Sequence, residues 1–424
     1  MMADQRLHRP HWGYQTGLFQ WGNPAFWLFA LLLLGGALII VGQLAGFLSY
    51  SPTGFALSWL LLLMYAVPVF LLVYTLDLYE REPISLVVAA LIWGAVGATA
   101  LSIFGNTGWG LVIVNLFGEE FARNWVAALT APWIEEVFKA LGIVLIYLIA
   151  RREIDDIMDG FVYGAMVGLG FTLVEDVFYF MGAFGGDVAG VLTGFYLRVI
   201  ASGFYGHVLY SALAGMGIAY FVTRKGFVPE AKRWGVAVGL FLIAVFAHFL
   251  WNSPLLNFFP QQPWEGVDWL VIIFATAVKG LPLLIFVVLM VRLAHQREHL
   301  WLRAALETEV GKPGLTREEL EALDHPADRK RARREAAARG GPQASKAMKK
   351  LQREQINLAM VATRSHDPNH PDLQRQHEYC AQLREWVQRF AGGPTPPPPG
   401  PEGGTPPPPP PGATPPGSPP PPSA

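Results

Sequence analysis

Residues 130–150 have the sequence TAPWIEEVFKALGIVLIYLIA, which has the length and apolar composition of a membrane span. Two adjacent glutamates, Glu135 and Glu136, lie within it, and Lys139 follows one helical turn later. Charged groups in the hydrocarbon region are costly, so they usually face a protein interior or a watery cavity and mark a functional site. This stretch therefore predicts a membrane helix that carries a buried polar site.

The composition of the whole chain agrees with a membrane protein. Of 424 residues, 52% are hydrophobic and only 15% are charged, with a net charge of −1, and the apolar residues form blocks of about twenty. An ordinary soluble fold is excluded, and the single Cys380 excludes an intramolecular disulfide. We predict an all-α, polytopic membrane helical bundle of about eight transmembrane helices. The expected spans are 25–48, 55–76, 85–105, 131–150, 160–182, 198–222, 234–253 and 268–292.

The basic residues predict the orientation of these spans. Lys and Arg are concentrated at the N-terminus, in the even-numbered loops and after the last span, whereas Arg123 and Arg198 are the exceptions on the other side. The positive-inside rule then predicts a multi-pass protein of the cytoplasmic membrane with both termini in the cytoplasm. On this topology, residues 1–24 are a cytosolic segment and residues 25–292 form the membrane domain.

Two segments follow the membrane domain. Residues 293–391 are rich in charged, helix-favouring residues and predict a small cytosolic helical appendage close to lipid headgroups. Residues 392–424 hold 18 of the 34 prolines and predict a disordered tail. No nucleic-acid-binding motif is present, so no nucleic acid is expected as a partner, whereas a cytosolic partner for the appendage stays open.

Three later spans also carry polar residues. Glu175 and Asp176 lie on the fifth span, His207 on the sixth, and His248 and Asn252 on the seventh. A rise of about 1.5 Å per residue places the glutamates and histidines of all four spans in one layer, roughly 6–14 Å below the extracytoplasmic boundary. Because these spans alternate in direction, a shared depth indicates one functional cluster.

Spacing within the helices supports that cluster. Small residues recur every fourth position, at Gly160, Gly164 and Gly168 on the fifth span and at Ser211, Gly215 and Ala219 on the sixth. Such ridges allow helices to approach closely. Glu135 and Lys139 share a helix face and are expected to pair, whereas Glu136 points about 100° away and is expected to be freer to act.

Familiar hydrolase signatures are missing, but a set of weaker motifs is present. There is no H-E-x-x-H metal motif and no serine nucleophile elbow. Residues 135–139 (EEVFK) match E-E-x-x-K, residues 171–175 (FTLVE) match F-x-x-x-E, and residues 207–211 (HVLYS) and 248–252 (HFLWN) are histidine motifs. In this order, on successive spans, the motifs resemble the PrsW family of bacterial intramembrane proteases, part of a wider group that includes the CAAX-processing proteases.

The resemblance covers roughly residues 60–292 and implies an endopeptidase. Its expected substrates are single-span membrane proteins, such as anti-sigma factors, cut near the extracytoplasmic face. Peptide hydrolysis needs a base that activates water, and Glu136 is the predicted base, with Glu135 held by Lys139 beside it. Asp176 and Asn252 are predicted to support the site.

A divalent metal such as zinc is a possible cofactor. Glu175, His207 and His248 are the predicted ligands, since two imidazoles and a carboxylate leave a fourth zinc position for water. The alternative is a glutamate protease without a metal, in which the histidines donate to the oxyanion. Both versions make Glu135, Glu136, Glu175, His207 and His248 catalytic.

Two other classes of protein compete with the protease. Ionisable residues in spans also form relays in proton- or cation-coupled transporters, but no convincing repeat relates spans one to four to spans five to eight. A membrane scaffold, whose polar cluster only holds helices together, is the third possibility. The one-sided layer of carboxylates and imidazoles favours the protease.

Overall fold

The computed structural model describes residues 17–77, 82–151, 153–201, 206–255, 269–364 and 369–392. The predictions for residues 1–16 and for the proline-rich tail after residue 392 lie outside the described residues. The described chain is helical and contains no strand, which confirms the all-α class. Its helices are α1 (Pro24–Tyr50), α2 (Pro52–Leu76), α3 (Ile84–Phe117), α4 (Glu119–Ile149), α5 (Ile157–Ala183), α6 (Val188–Ile200), α7 (Gly206–Thr223), α8 (Glu230–Asn252), α9 (Trp269–Glu307), α10 (Arg317–Asp324), α11 (Pro326–Arg364) and α12 (Pro371–Gly392).

Seven of these helices are long and apolar enough to cross a membrane: α1, α2, α3, α5, α7, α8 and α9 from Ala277 onward. The predicted polytopic bundle is therefore confirmed. The remaining predicted span, 131–150, lies in α4, a helix of 31 residues. Its apolar half contains Glu135, Glu136 and Lys139, and all three are buried. Helix α4 is thus the predicted span that is not among the seven apolar helices, and it is the one that carries these three charged residues.

Local sequence determines where the helices begin. The side chains of Asn23 and Ser51 accept hydrogen bonds from backbone N–H groups in the first turns of α1 and α2, and a proline occupies the first position of each helix. At α5, Asp156 and Asp159 form a reciprocal capping box. These caps satisfy N–H groups that have no partner within the helix.

Helix α5 is the centre of the bundle and is buried along nearly its whole length. It packs tightly on α7 because the facing residues are small. A Cβ atom at Gly164 would lie 2.2 Å from the carbonyl oxygen of Ser211, and one at Gly168 would lie 2.1 Å from the carbonyl oxygen of His207. The predicted close approach of the two small-residue ridges is confirmed, and it places the backbone of His207 directly against α5.

The region before α7 differs from the prediction. Residue 198 was expected to begin the sixth span, but Arg198 lies on α6, an apolar helix that begins earlier, at Val188. The predicted start was wrong here because the apolar run 188–197 was assigned to a loop, although it belongs to the helix that carries Arg198.

The appendage is a small helical unit with its own core. The residues that form this core come from the end of α9, from the connection before α10 and from α10, α11 and α12. They include Trp301, Leu306, Leu323, Leu358 and Leu373. Helix α9 continues without a break through residue 292, so the predicted domain boundary falls inside a helix.

Candidate active site

Lys139 lies at the centre of a buried polar cluster on α4. Its Nζ atom is 2.9 Å from Oε1 of Glu136, 3.4 Å from Oε2 of Glu135 and 2.9 Å from Nδ1 of His207. The ammonium also lies 3.9 Å above the ring of Phe171 on α5. The predicted pair between Glu135 and Lys139 is present. The expectation that Glu136 would be freer is wrong, because residues three apart on a helix are also neighbours.

The two histidines approach this cluster from α7 and α8, and a carboxylate holds each ring. Nδ1 of His248 lies 3.0 Å from Oε1 of Glu136, and its Nε2 lies 3.9 Å from Oε2 of Glu135. Nε2 of His207 lies 2.9 Å from Oε2 of Glu175 on α5. The ring centroids of the histidines are 4.9 Å apart. The structure therefore brings together all five residues that the sequence predicted as catalytic.

The structure adds a cation that sequence reasoning missed. Arg198 on α6 places Nη2 2.8 Å from Oε2 of Glu175 and Nε 2.5 Å from Oδ1 of Asp176. Its guanidinium carbon lies 3.6 Å from the ring centroid of Tyr179. Asp176 therefore belongs to the site through this arginine. The position of Arg198 as an exception to the positive-inside pattern was the signal that could have revealed it.

Other groups complete the surroundings of the cluster. Asn106 on α3 donates a 3.0 Å hydrogen bond to Oε1 of Glu135, and the ring of Tyr210 stacks on His248 at 5.0 Å. Asn106 lies outside the quoted motifs, whereas Tyr210 lies within residues 207–211, where it is not a motif position. Asn252 lies farther along α8, where its amide is 3.5 Å from the carbonyl oxygen of Ala127. The structure thus places this predicted supporting residue at the α4–α8 contact.

A cavity of about 260 Å³ adjoins the cluster. Its lining includes His207, Arg198, Asp176, Tyr210 and Trp251. This volume is small compared with the roughly 300–1,000 Å³ of pockets that bind drug-sized ligands. It suits a side chain with a short stretch of backbone. The cavity therefore adjoins one side of the buried polar groups.

The donor set of this cluster fits a divalent metal. Glu135, His207 and His248 each offer one ligand atom, and these three atoms lie within 4.8 Å of one another. The predicted third ligand, Glu175, instead contacts the Nε2 atom of His207. Carboxylates that hold the second nitrogen of a ligating histidine are a regular feature of metal sites. Glu136 and Glu175 occupy these outer positions.

The charges of the cluster also fit a cation. Among the described residues, the cations paired with the four carboxylates of Glu135, Glu136, Glu175 and Asp176 are the ammonium of Lys139 and the guanidinium of Arg198. With both imidazoles neutral, the formal charge of these groups is −2. A buried excess charge is costly unless it is compensated. A divalent cation would compensate it.

Comparison with known proteins identifies a family. The family model described as "PrsW family intramembrane metalloprotease" matches residues 82–291, which include every residue of the cluster. No solved structure shows significant similarity to the chain.

Two curated relatives are both named Protease PrsW. The relative from Geobacillus kaustophilus (strain HTA426) is 26% identical over 194 residues, which are 41% of this chain and 80% of the relative. The relative from Bacillus subtilis (strain 168) is 30% identical over 109 residues, which are 26% of this chain and 47% of the relative. The second alignment thus spans about half the length of that relative.

Proposed function

This chain belongs to the PrsW family of intramembrane metalloproteases, and on that premise we propose that it cleaves single-span membrane proteins near the extracytoplasmic face of the cytoplasmic membrane. Anti-sigma factors are the proposed type of substrate. Both termini and the appendage lie in the cytoplasm in this proposal, in accord with the distribution of basic residues. The appendage is then placed where a cytosolic partner could bind it.

The observation that carries the proposal is the juxtaposition of buried carboxylates and imidazoles with a cavity. Glu136 and His248 are buried, yet His207 of the same cluster lines the 260 Å³ cavity beside it. Hydrolysis inside a membrane needs polar groups that are shielded from lipid and reachable by a peptide and by water. The buried cluster and the cavity beside it support both conditions.

We assign the base to Glu136. Its Oε1 atom is held by Lys139 and His248, whereas its Oε2 atom is buried and has no hydrogen-bond partner among the described residues. A buried carboxylate oxygen without a hydrogen-bond partner is costly. The presence of such an oxygen in Glu136 is therefore consistent with a role in proton transfer. Oε2 would accept the proton of the attacking water and later deliver it to the leaving amine.

Glu135, His207 and His248 would hold a divalent cation such as zinc, which would supply a Lewis acid for the scissile carbonyl. In this assignment Glu175 orients His207 and is not itself a ligand, a change from the set proposed on sequence alone. Lys139 contacts both glutamates of α4 and would hold their carboxylates in place. If no metal is used, the ammonium of Lys139 and the histidines would stabilise the oxyanion.

The test compares wild type with Glu136→Gln. In cells that lack the protein, each form is restored at a matched level, and new N-termini are mapped across membrane and secreted fractions. We expect a small set of cuts near the extracytoplasmic ends of single-span proteins with wild type only. Glu120→Gln is the matched control, because Glu120 is an exposed glutamate in the first turn of the same helix. The same cuts with Glu136→Gln would contradict the assignment.

A further inference from the structure

A second group of metal-ligand side chains lies in the appendage. His299 is on α9, Asp324 is the last residue of α10, and His325 joins α10 to α11. One ligand atom from each residue lies within 4.8 Å of the other two. We propose that these three residues form a second divalent metal site, of the zinc class, which fastens the end of α9 to the corner between α10 and α11.

The geometry of the three side chains is close to that of a bound site. Nε2 of His299 is 3.6 Å from Oδ1 of Asp324, and the rings of His299 and His325 stack with centroids 5.1 Å apart. Ligand atoms in a tetrahedral zinc site are about 3.4 Å apart, so a shift of roughly 1 Å would complete the set. His325 is exposed and therefore has room to rotate. Two imidazoles and a carboxylate leave the fourth position for water.

This site is separate from the proposed active site. His299 lies 30 residues after Trp269, where α9 begins, which corresponds to about 45 Å along the helix. The hydrocarbon core is about 30 Å thick, so His299 lies at or beyond its boundary. The site also lies outside residues 82–291, the region that the family shares. It does not depend on the proteolytic function.

Arg303 offers the competing explanation for these contacts. Its Nη1 atom pairs with Oδ2 of Asp324, so the carboxylate already has a cationic partner without a metal. The side chain of Arg303 is 47% exposed and can therefore leave at little cost. The pair leaves Oδ1 directed at His299. In the metal site, Arg303 acts as a weak competitor that keeps Asp324 in position.

The test measures zinc binding to the full-length protein in detergent after treatment with a chelator. All variants carry His248→Ala, which removes a ligand of the membrane cluster. We expect one tightly bound zinc in this background and its loss in the further variant His325→Ala. Loss of an outer-shell partner costs about 10–100-fold in metal affinity, so loss of a ligand should cost at least as much. His370→Ala is the matched control, since the side chain of His370 is 46% exposed and pairs only with Asp372 in the described part of the chain.

A second variant separates the metal site from a purely structural ion pair. Arg303→Ala should strengthen zinc binding several-fold, because a positive charge close to the site is removed. If the contacts serve only the ion pair, Arg303→Ala would leave zinc binding unchanged. Equal zinc content in the parent and in His325→Ala would overturn the proposal. In the otherwise wild-type protein, His325→Ala should give the same mapped cuts as wild type. The zinc measurement therefore tests the second metal site, and the Glu136→Gln comparison tests the protease function, so either hypothesis can fail without the other.

Discussion

Nζ of Lys139 lies 2.9 Å from Nδ1 of His207, although the two residues are 68 positions apart in the chain. An ammonium group only donates hydrogen bonds, so Nδ1 must accept and carries no proton. The proton of the neutral ring is then on Nε2, where it is donated to Oε2 of Glu175 at 2.9 Å. Lys139 and Glu175 therefore fix the tautomer of His207 from opposite sides.

The same contact predicts competition between Lys139 and a metal. The lone pair of Nδ1 in His207 is the donor that a cation would use, and the ammonium occupies it. Lys139→Met should therefore bind zinc at the membrane cluster about tenfold or more tightly, because a competing positive charge is removed. The measurement is equilibrium dialysis of protein that also carries His325→Ala, with size-exclusion profiles to verify folding. Weaker binding by monodisperse Lys139→Met would contradict this arrangement.

Arg198 is expected to act as a positioning residue for His207. It holds Glu175 and Asp176, and Glu175 in turn orients the imidazole. Arg198→Ala should reduce cleavage about 10–100-fold, the usual cost of removing such outer partners. Arg198→Lys should retain part of the activity that Arg198→Ala loses, since one ion pair can re-form. The simultaneous contact of a guanidinium with both carboxylates cannot.

The control for Arg198 is Arg123→Ala, because Arg123 is an exposed arginine on α4. Relative cleavage is measured on targets found by N-terminus mapping, at matched protein levels. A purely structural role would lower the yield of folded protein while leaving the cleavage rate per folded molecule unchanged. That result, or no rescue by lysine together with normal folding, would argue against positioning.

The contact between α5 and α7 predicts a strong effect of a single methyl group. Gly168→Ala would place Cβ 2.1 Å from the carbonyl oxygen of His207, and backbone atoms cannot move aside without displacing α7. A displacement of about 1 Å in an active site can cost roughly 100-fold in rate. Gly182→Ala on the same helix should be nearly neutral, since nothing lies within 4 Å of the added Cβ. Equal cleavage by both variants would show that the close approach is not needed.

The appendage should lose stability in acid through Glu309. Burial by itself raises the pKa of this carboxyl, but hydrogen bonds from His377 and Lys312 outweigh burial and lower the pKa to about 2. A carboxyl whose pKa is lowered by folding stabilises the fold at pH values above its ordinary pKa. This stabilisation is lost as the pH falls towards about 2. Glu309→Gln should therefore weaken the appendage by roughly 1–2 kcal/mol at neutral pH, and the difference should vanish near pH 2.

Limited pepsin digestion of the full-length protein tests this dependence, with cuts in α12 as the readout. At about pH 4, the variant should be cut faster than wild type, whereas near pH 2 the two should be cut at the same rate. The control is Glu378→Gln, an exposed glutamate next to His377. A difference between Glu309→Gln and wild type that persists unchanged to pH 2 would contradict the prediction.

The sequence by itself determined the helices and the set of polar residues. Apolar blocks of about twenty residues predict spans because the hydrocarbon core requires that length and internal hydrogen bonds. Glu135, Glu136, Glu175, His207 and His248 stand out since charged or polar groups are rare in such blocks. The small-residue ridge that includes Gly164 also predicted which helices approach closely.

Only the tertiary structure decided which of these groups contact one another. Lys139 contacts Glu136 as well as Glu135, and Glu175 contacts the outer nitrogen of His207 and so lies apart from the candidate metal ligands. The contribution of Arg198 depends on α6, a helix whose start at Val188 the span pattern does not indicate. The physical reason is that periodicity is a local property, whereas the partner of a buried charge depends on how neighbouring helices rotate, tilt and end.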